Sequence, residues 1–320
     1  MTDLASPPEA DFGNPPKLFD GTADLDLTPE TADLQYWFDT VPQRTLRGHL
    51  LGHAPDVRPT EVVRRPGPLH DALTREVSFR VFAEARTARA LGHALLLAPT
   101  PATFEFYATQ VIDEARHTKA FRQHLVELGI APDRVEATAE ELAGADRDAI
   151  LIPLEDFVIP VVRDEQDFVA GILLLTILVE GVLAPSFELS ERKWRPFDPA
   201  LADIETGAGI DEVRHLAVGG RIVRDHVAAH PEDVDRLADL VKRGMALMFS
   251  LPVLDQLQRW EALFQQGLEQ HADLVGDYEI WDGRRLVDTT PDERVQKTFE
   301  LTGLIHATRL TGMGLGSALG

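Results

Sequence analysis

Asp113-Glu114-Ala115-Arg116-His117 recurs, with one residue changed, as Asp211-Glu212-Val213-Arg214-His215. Apolar residues surround both copies: Phe106, Val111 and Ile112 precede the first, and Ile210, Leu216 and Val218 flank the second. That pattern places both in long helices. On a helix, Glu and His three residues apart lie about 60° apart around the axis and about 4.5 Å along it. Each copy therefore offers a carboxylate and an imidazole to one point in space. From composition, one such match is expected by chance on the order of once in a few hundred chains of this length, and two are far rarer. The bland alternative is a set of solvated i,i+3 pairs on an exposed face. The apolar setting argues against it, because a buried charged cluster must be paired or bound to metal.

Two lone glutamates complete the pattern. Glu84 precedes Glu114 by 30 residues and Glu180 precedes Glu212 by 32, so each helical hairpin supplies Glu, Glu and His. The expected ligands of a two-metal site are Glu84, Glu114, His117, Glu180, Glu212 and His215. Glu180 lies in an apolar run, Ile172 to Val179, where an unpaired charge is costly. Glu76, eight residues before Glu84, is the alternative on the first helix. Four hard carboxylates and two imidazoles suit a pair of iron ions, or manganese in their place. A ligating histidine needs a partner for its other ring N–H. Asp113 and Asp211, each reaching across to the other helix's histidine, fit that need, and Arg116 and Arg214 can neutralise them.

The rest of the chain sets the frame. The net charge of -22 argues against nucleic acid and against an anionic membrane surface. The absence of cysteine excludes disulfides, thiolate metal sites and cysteine nucleophiles. No secretory signal is visible, so a cytoplasmic protein is expected. The apolar stretch from Phe168 to Pro185 reads as a core helix. Residues 1–68, rich in Pro, Asp and Arg, are expected to form an extended, irregular arm, and 69–320 a single all-α domain. Helices are expected near 69–97, 102–129, 134–143, 148–188 with a bend at Pro160, 199–229, 232–274 and 291–310, with one short hairpin around Asp282-Gly283.

The series lone Glu, D-E-A-R-H, lone Glu, D-E-V-R-H resembles the ferritin-like carboxylate-bridged di-iron superfamily over roughly residues 70–230. That superfamily includes the ribonucleotide reductase small subunit, multicomponent monooxygenase hydroxylases, acyl carrier protein desaturases and natural-product N-oxygenases. The resemblance implies a ferritin-like, reductase small subunit-like bundle with extra helices, two irons, O2 as co-substrate, an external electron donor and a homodimer. Phe121 stands where reductase subunits carry the radical tyrosine, Ala184 where the hydroxylases carry a threonine, and Ala208 where the aminoarene N-oxygenases carry an extra histidine. These departures leave a stand-alone oxidase or oxygenase for a small organic substrate in a biosynthetic pathway, N-oxidation of an amine, hydroxylamine or hydrazine being favoured. C–H hydroxylation, acyl-chain desaturation and metal storage are the alternatives. Helical spacing from the ligands makes Tyr107, Thr176 and Glu205 the pocket candidates, with Gln110 and Thr87 beside them. Phe104, Phe121, Leu173, Ile177 and Phe187 are expected to supply an apolar lining.

Overall fold

The computed structural model describes residues 27–44 and 51–319. Its helices begin where the sequence supplies caps. α3 (Pro68–Leu97) and α4 (Pro101–Glu127) form the first hairpin. Thr100 accepts a hydrogen bond from the Thr103 amide at 3.1 Å, and Pro101, whose missing N–H costs nothing in the first turn, opens α4. α8 (Gly181–Trp194) and α9 (Pro199–Ala229) form the second, and Asp198 caps α9 through the Leu201 amide at 3.0 Å ahead of Pro199. The hairpins face each other, α4 against α9 and α3 against α7 (Phe168–Leu174).

Further helices surround this four-helix core. They are α5 (Val135–Asp146), α6 (Ile152–Arg163), α10 (Val234–Ser250), α11 (Val253–Gln270), the short α12 (Ala272–Val275) and α13 (Pro291–Gly312). α11 packs on α3, and α13 packs on α8, α9 and α11. Strands β1 (Glu279–Trp281) and β2 (Arg284–Arg285) make the expected hairpin, with Gly283 at φ 70° in its turn. The described residues thus form an all-α bundle of two facing helical hairpins with extra helices around it.

Three expectations need correction. The arm is not irregular throughout: Leu34–Arg44 is helix α1 and Glu61–Arg64 a single turn, α2. Trp37 and Val41, four residues apart, are buried on one face of α1, and Asp33 receives the Tyr36 amide at 2.9 Å. Residues 27–33, 51–60 and 65–67 are turns, bends and irregular segments, and 1–26 and 45–50 fall outside the described residues. The stretch 148–188 is not one bent helix. A π-helical turn (Arg147–Leu151) leads into α6, which runs through Pro160 and ends at Arg163. Residues 164–167 then interrupt the helix, with Gln166 at φ 54°, before α7. α7 continues through a second π-helical turn, Leu175–Glu180, into α8. The segment 232–274 is also broken, at Leu251-Pro252, where the proline removes an amide from the ladder.

Two apolar clusters position the site. One gathers Phe106 and Tyr107 with Leu173, Ile177, Leu178 and Val218. The other gathers Phe121 and Leu125 with Phe187, Leu201 and Ala208. Both D-E-x-R-H pentapeptides lie between them in sequence, so their charged groups form a band with apolar packing on each side.

Candidate metal centre

The six predicted ligands converge, and all are buried. Glu84, Glu114, His117 and Glu212 form one four-donor group and Glu114, Glu180, Glu212 and His215 a second, the donor atoms of each lying within 4.8 Å of one another. Glu114 and Glu212 belong to both groups. Glu76, by contrast, lies elsewhere, accepting from Lys193 at 2.9 Å and from the Trp194 indole at 3.0 Å.

Both histidines present the same edge to the carboxylates. His117 Nδ1 lies 3.3 Å from Glu84 and 3.7 Å from Glu114, and its Nε2 lies 3.1 Å from Asp211 on α9. His215 Nδ1 lies 3.3 Å from Glu114 and 3.9 Å from Glu180, and its Nε2 lies 3.5 Å from Asp113 on α4. A proton on Nε2 lets each aspartate accept it and leaves the Nδ1 lone pair facing the cluster.

The arginines are shared unequally. Arg214 donates to both Asp113 and Asp211, at 3.3 Å for the latter, while Arg116 donates to Asp113 at 2.5 Å. Asp113 also accepts the Trp37 indole N–H from α1 at 2.9 Å. Burial pulls the Asp113 carboxyl up, but Arg214, His215 and Arg116 hold it well below the usual range.

Several buried donor atoms have no hydrogen-bond partner: Glu84 Oε1, both carboxylate oxygens of Glu114 and of Glu212, and His215 Nδ1. Such orphans are rare in folded proteins, and together they make a shell of acceptors facing one another. The electrostatics agree. Burial, with the Glu114 charge, pushes Glu84 up to about 8 and Glu212 well above its ordinary value, and burial pushes Glu180 up to about 8. Burial opposes charge on Glu114 as well, but the His117 and His215 imidazoles beside it hold its carboxyl low. Four carboxylates out of water cannot all ionise without cations, so the donor set fits a pair of divalent metal ions.

The expected pocket residues fare differently. The Gln110 amide donates to Glu180, bringing α4 against the second hairpin. Thr87 returns its hydroxyl to the Ala83 carbonyl at 3.1 Å and borders a cavity. Tyr107 is buried beside Phe106 and Phe168, with Glu180 close enough to add to the burial that raises its phenol. Thr176 packs on Gly219 of α9, where a Cβ would sit 2.3 Å from its hydroxyl, rather than bordering that cavity. The π turn between Thr176 and Glu180 displaces it from the ligand face. Glu205 accepts from Ser190 at 2.9 Å and faces Arg80 at 3.7 Å, outside both donor groups. Phe104 points outward, half exposed: ten residues before Glu114 puts it about 80° off the ligand face. Phe121 stacks on Phe187, whose edge meets His117.

A largely apolar cavity of about 180 Å³ runs beside the site between α3 and α8, under α6 and α11. Its wall includes Ala83 and Thr87, one before and three after Glu84, and Val179 and Leu183, placed likewise about Glu180. Arg80, Ser186 and Lys193 add polar groups at the wall. Spacing alone gave no sign of the Trp37 contact, which depends on the arm folding back.

Fold and site together define a ferritin-like bundle whose facing hairpins carry a paired carboxylate–histidine cluster. No protein-family model matches the chain, and no curated protein matches it in sequence. Among solved structures the chain is similar to a point mutant of an R2-like ligand-binding oxidase with an anaerobically reconstituted Mn/Fe cofactor, at 14% identity and TM-score 0.51, over 96% of this chain and 95% of that one. A second R2-like ligand-binding oxidase, with an aerobically reconstituted metal cofactor, aligns at 16% identity and TM-score 0.48, over 96% and 94%. One from Sulfolobus acidocaldarius aligns at 15% and 0.43, over 99% and 94%.

Proposed function

We propose that the chain is an O2-dependent di-iron oxidase or oxygenase acting on an apolar organic substrate. One observation carries the reading: two buried four-donor groups share Glu114 and Glu212 and leave their facing oxygen atoms without partners. Glu84 and His117 would complete one metal position, Glu180 and His215 the other. Iron bound there would supply the redox chemistry that activates O2. An R2-like oxidase that shares the fold carries an Mn/Fe cofactor, so manganese at one position is compatible with this reading.

The chain's own residues orient and insulate. Asp113 and Asp211 hold the histidine tautomers, Arg214 ties the aspartates together across the helix pair, and the apolar clusters keep bulk water out. The cavity beside Glu84 and Glu180 accommodates the substrate's apolar body. The favoured reaction is N-oxidation, on the strength of the resemblance to natural-product N-oxygenases. For an amine, R–NH2, O2, two electrons from an external donor and two protons would give R–NHOH and water.

Anaerobic loading with Fe(II) followed by O2 tests the proposal. The expected results are two irons per chain, O2 uptake that requires the iron, and transfer of isotopically labelled oxygen to an amine. More than two irons per chain without substrate oxidation would favour metal storage instead. Labelled oxygen on carbon would favour C–H hydroxylation.

A further inference from the structure

The part of the cavity wall that α11 supplies departs from its own pattern at one residue. Val253, Gln256, Leu257 and Trp260 recur at three- and four-residue spacing, so they share one face of α11, and all four line the cavity. Three are apolar and the fourth is an amide. α11 runs antiparallel to α3: Gly267 lies against Leu69, and the Trp260 ring meets Phe79 edge-on at 5.5 Å. One turn back from Trp260 therefore corresponds to one turn forward from Phe79, which carries Gln256 toward Ala83, the neighbour of Glu84. Gln256 is 3% exposed, and its side-chain Nε2 is buried without a hydrogen-bond partner. An unpaired buried donor costs stability, and a leucine would fill that place in the stripe without this cost.

The charged groups and hydroxyls of the wall are already engaged. Lys193 sits between Glu76 and Glu261, at 2.9 Å from each, and Arg294 donates to the other oxygen of Glu261. Arg86 donates to Glu155, and Arg80 donates to Ser186 at 2.6 Å and faces Glu205 at 3.7 Å. The Thr87, Ser190 and Thr298 hydroxyls donate to the Ala83 carbonyl, Glu205 and the Arg294 carbonyl. A charged ligand would enter a largely apolar space in which every countercharge is already matched. An uncharged ligand oxygen would instead satisfy the Gln256 donor.

We propose that Gln256 determines specificity: the cavity takes an uncharged, largely apolar molecule, and the Gln256 amide donates to a carbonyl, ether or hydroxyl oxygen on it. This rests on the reading of the cavity as the substrate's place. It narrows the substrate to compounds that carry such an oxygen besides the group to be oxidised and, among amines, to those uncharged at neutral pH.

Calorimetric titration of the metal-free full chain with acetophenone, isopropylbenzene and benzoate provides the test. The three probes share a ring and nearly the same shape; the first carries a neutral oxygen, the second none and the third a charge. The parent should bind acetophenone and not benzoate. Q256L and Q256M should each weaken acetophenone roughly 3–10-fold without weakening isopropylbenzene, whose retained binding also shows that the cavity has kept its form. Acetophenone binding that is absent from the parent, or unchanged in both variants, overturns the role of Gln256. Equal weakening of both neutral probes in both variants makes Gln256 a structural residue and overturns it as well, and benzoate binding as tight as that of acetophenone overturns the uncharged ligand. Iron counted per chain is independent of these readings. Two irons with no effect of Gln256 removes this inference alone, whereas probe binding through Gln256 in a chain that takes up no iron removes the oxidase reading and leaves a ligand site.

Discussion

The α3–α4 hairpin and the α7–α9 hairpin carry nearly the same ligands in unlike settings. In the first, a regular helix presents Glu84, and the Asp113 carboxylate collects four donors: Arg116, Arg214, the Trp37 indole and His215. In the second, a π turn presents Glu180, and Asp211 meets Arg214 and His117. Arg116 is partly exposed beneath α1, whereas Arg214 is enclosed. The repeated pentapeptide therefore fixes which atoms face the cluster, while its surroundings determine how firmly each half is held. The cross-bracing matters as well. Each aspartate serves the other hairpin's histidine, so neither donor group is complete without both hairpins in place.

The largest expected effect separates shared from unshared ligands. E114A or E212A should abolish binding of both metals, because each residue belongs to both groups, whereas E84A and E180A should each leave one metal per chain. Metal analysis after Fe(II) loading reads the difference, and identical stoichiometry in all four variants would remove the division into two groups.

A smaller effect distinguishes the aspartates. D113N withdraws the buried anion that balances two arginines and should cost about 3–5 kcal/mol. D211N, with Arg214 still paired to Asp113, should cost about 1–3 kcal/mol. Chemical denaturation of the metal-free variants measures both, and a D211N as damaging as D113N would show that the two halves are supported alike.

The pH dependence of the metal-free chain follows from its raised carboxyls. Burial lifts Glu84 and Glu180 to about 8, so the folded chain keeps protons that the unfolded chain releases near 4.5. Stability is then fully present below about pH 4.5 from these groups and declines as pH rises toward 8. Burial opposes charge on His215, yet Asp113 and Glu114 raise it to about 9, so its contribution is full below 6.5 and is lost as pH rises through 9. Melting temperatures with a chelator present should fall across pH 5–8 by the equivalent of a few kcal/mol, and metal loading should flatten that fall.

The smallest expected effect is on the arm. W37F removes one hydrogen bond to an Asp113 that retains its arginines, at a cost of about 1 kcal/mol. Metal stoichiometry should not change.

Much of this was legible in the sequence because the signals are local. A three-residue Glu–His spacing survives any packing of the helix, and Pro101, Pro199 and Pro291 mark helix starts within a residue or two. The π turn was not legible. Nothing in Leu175-Thr176-Ile177-Leu178-Val179 distinguishes it from α-helix, since what packs around the turn, Gly219 of α9 against Thr176 included, comes from elsewhere in the chain. The same turn explains why Thr176, four residues before Glu180, packs on Gly219. Helix α1 was hidden for a similar reason: its proline- and aspartate-rich surroundings outweigh a short apolar face that gains its value only when Trp37 reaches Asp113.

The central claim, that two hairpins build two metal positions with two shared carboxylates, is most directly tested by anomalous diffraction at the iron edge from crystals loaded anaerobically with Fe(II). Two peaks are predicted, one enclosed by Glu84, Glu114, His117 and Glu212 and the other by Glu114, Glu180, Glu212 and His215. A single peak, or iron bound away from these residues, would contradict it.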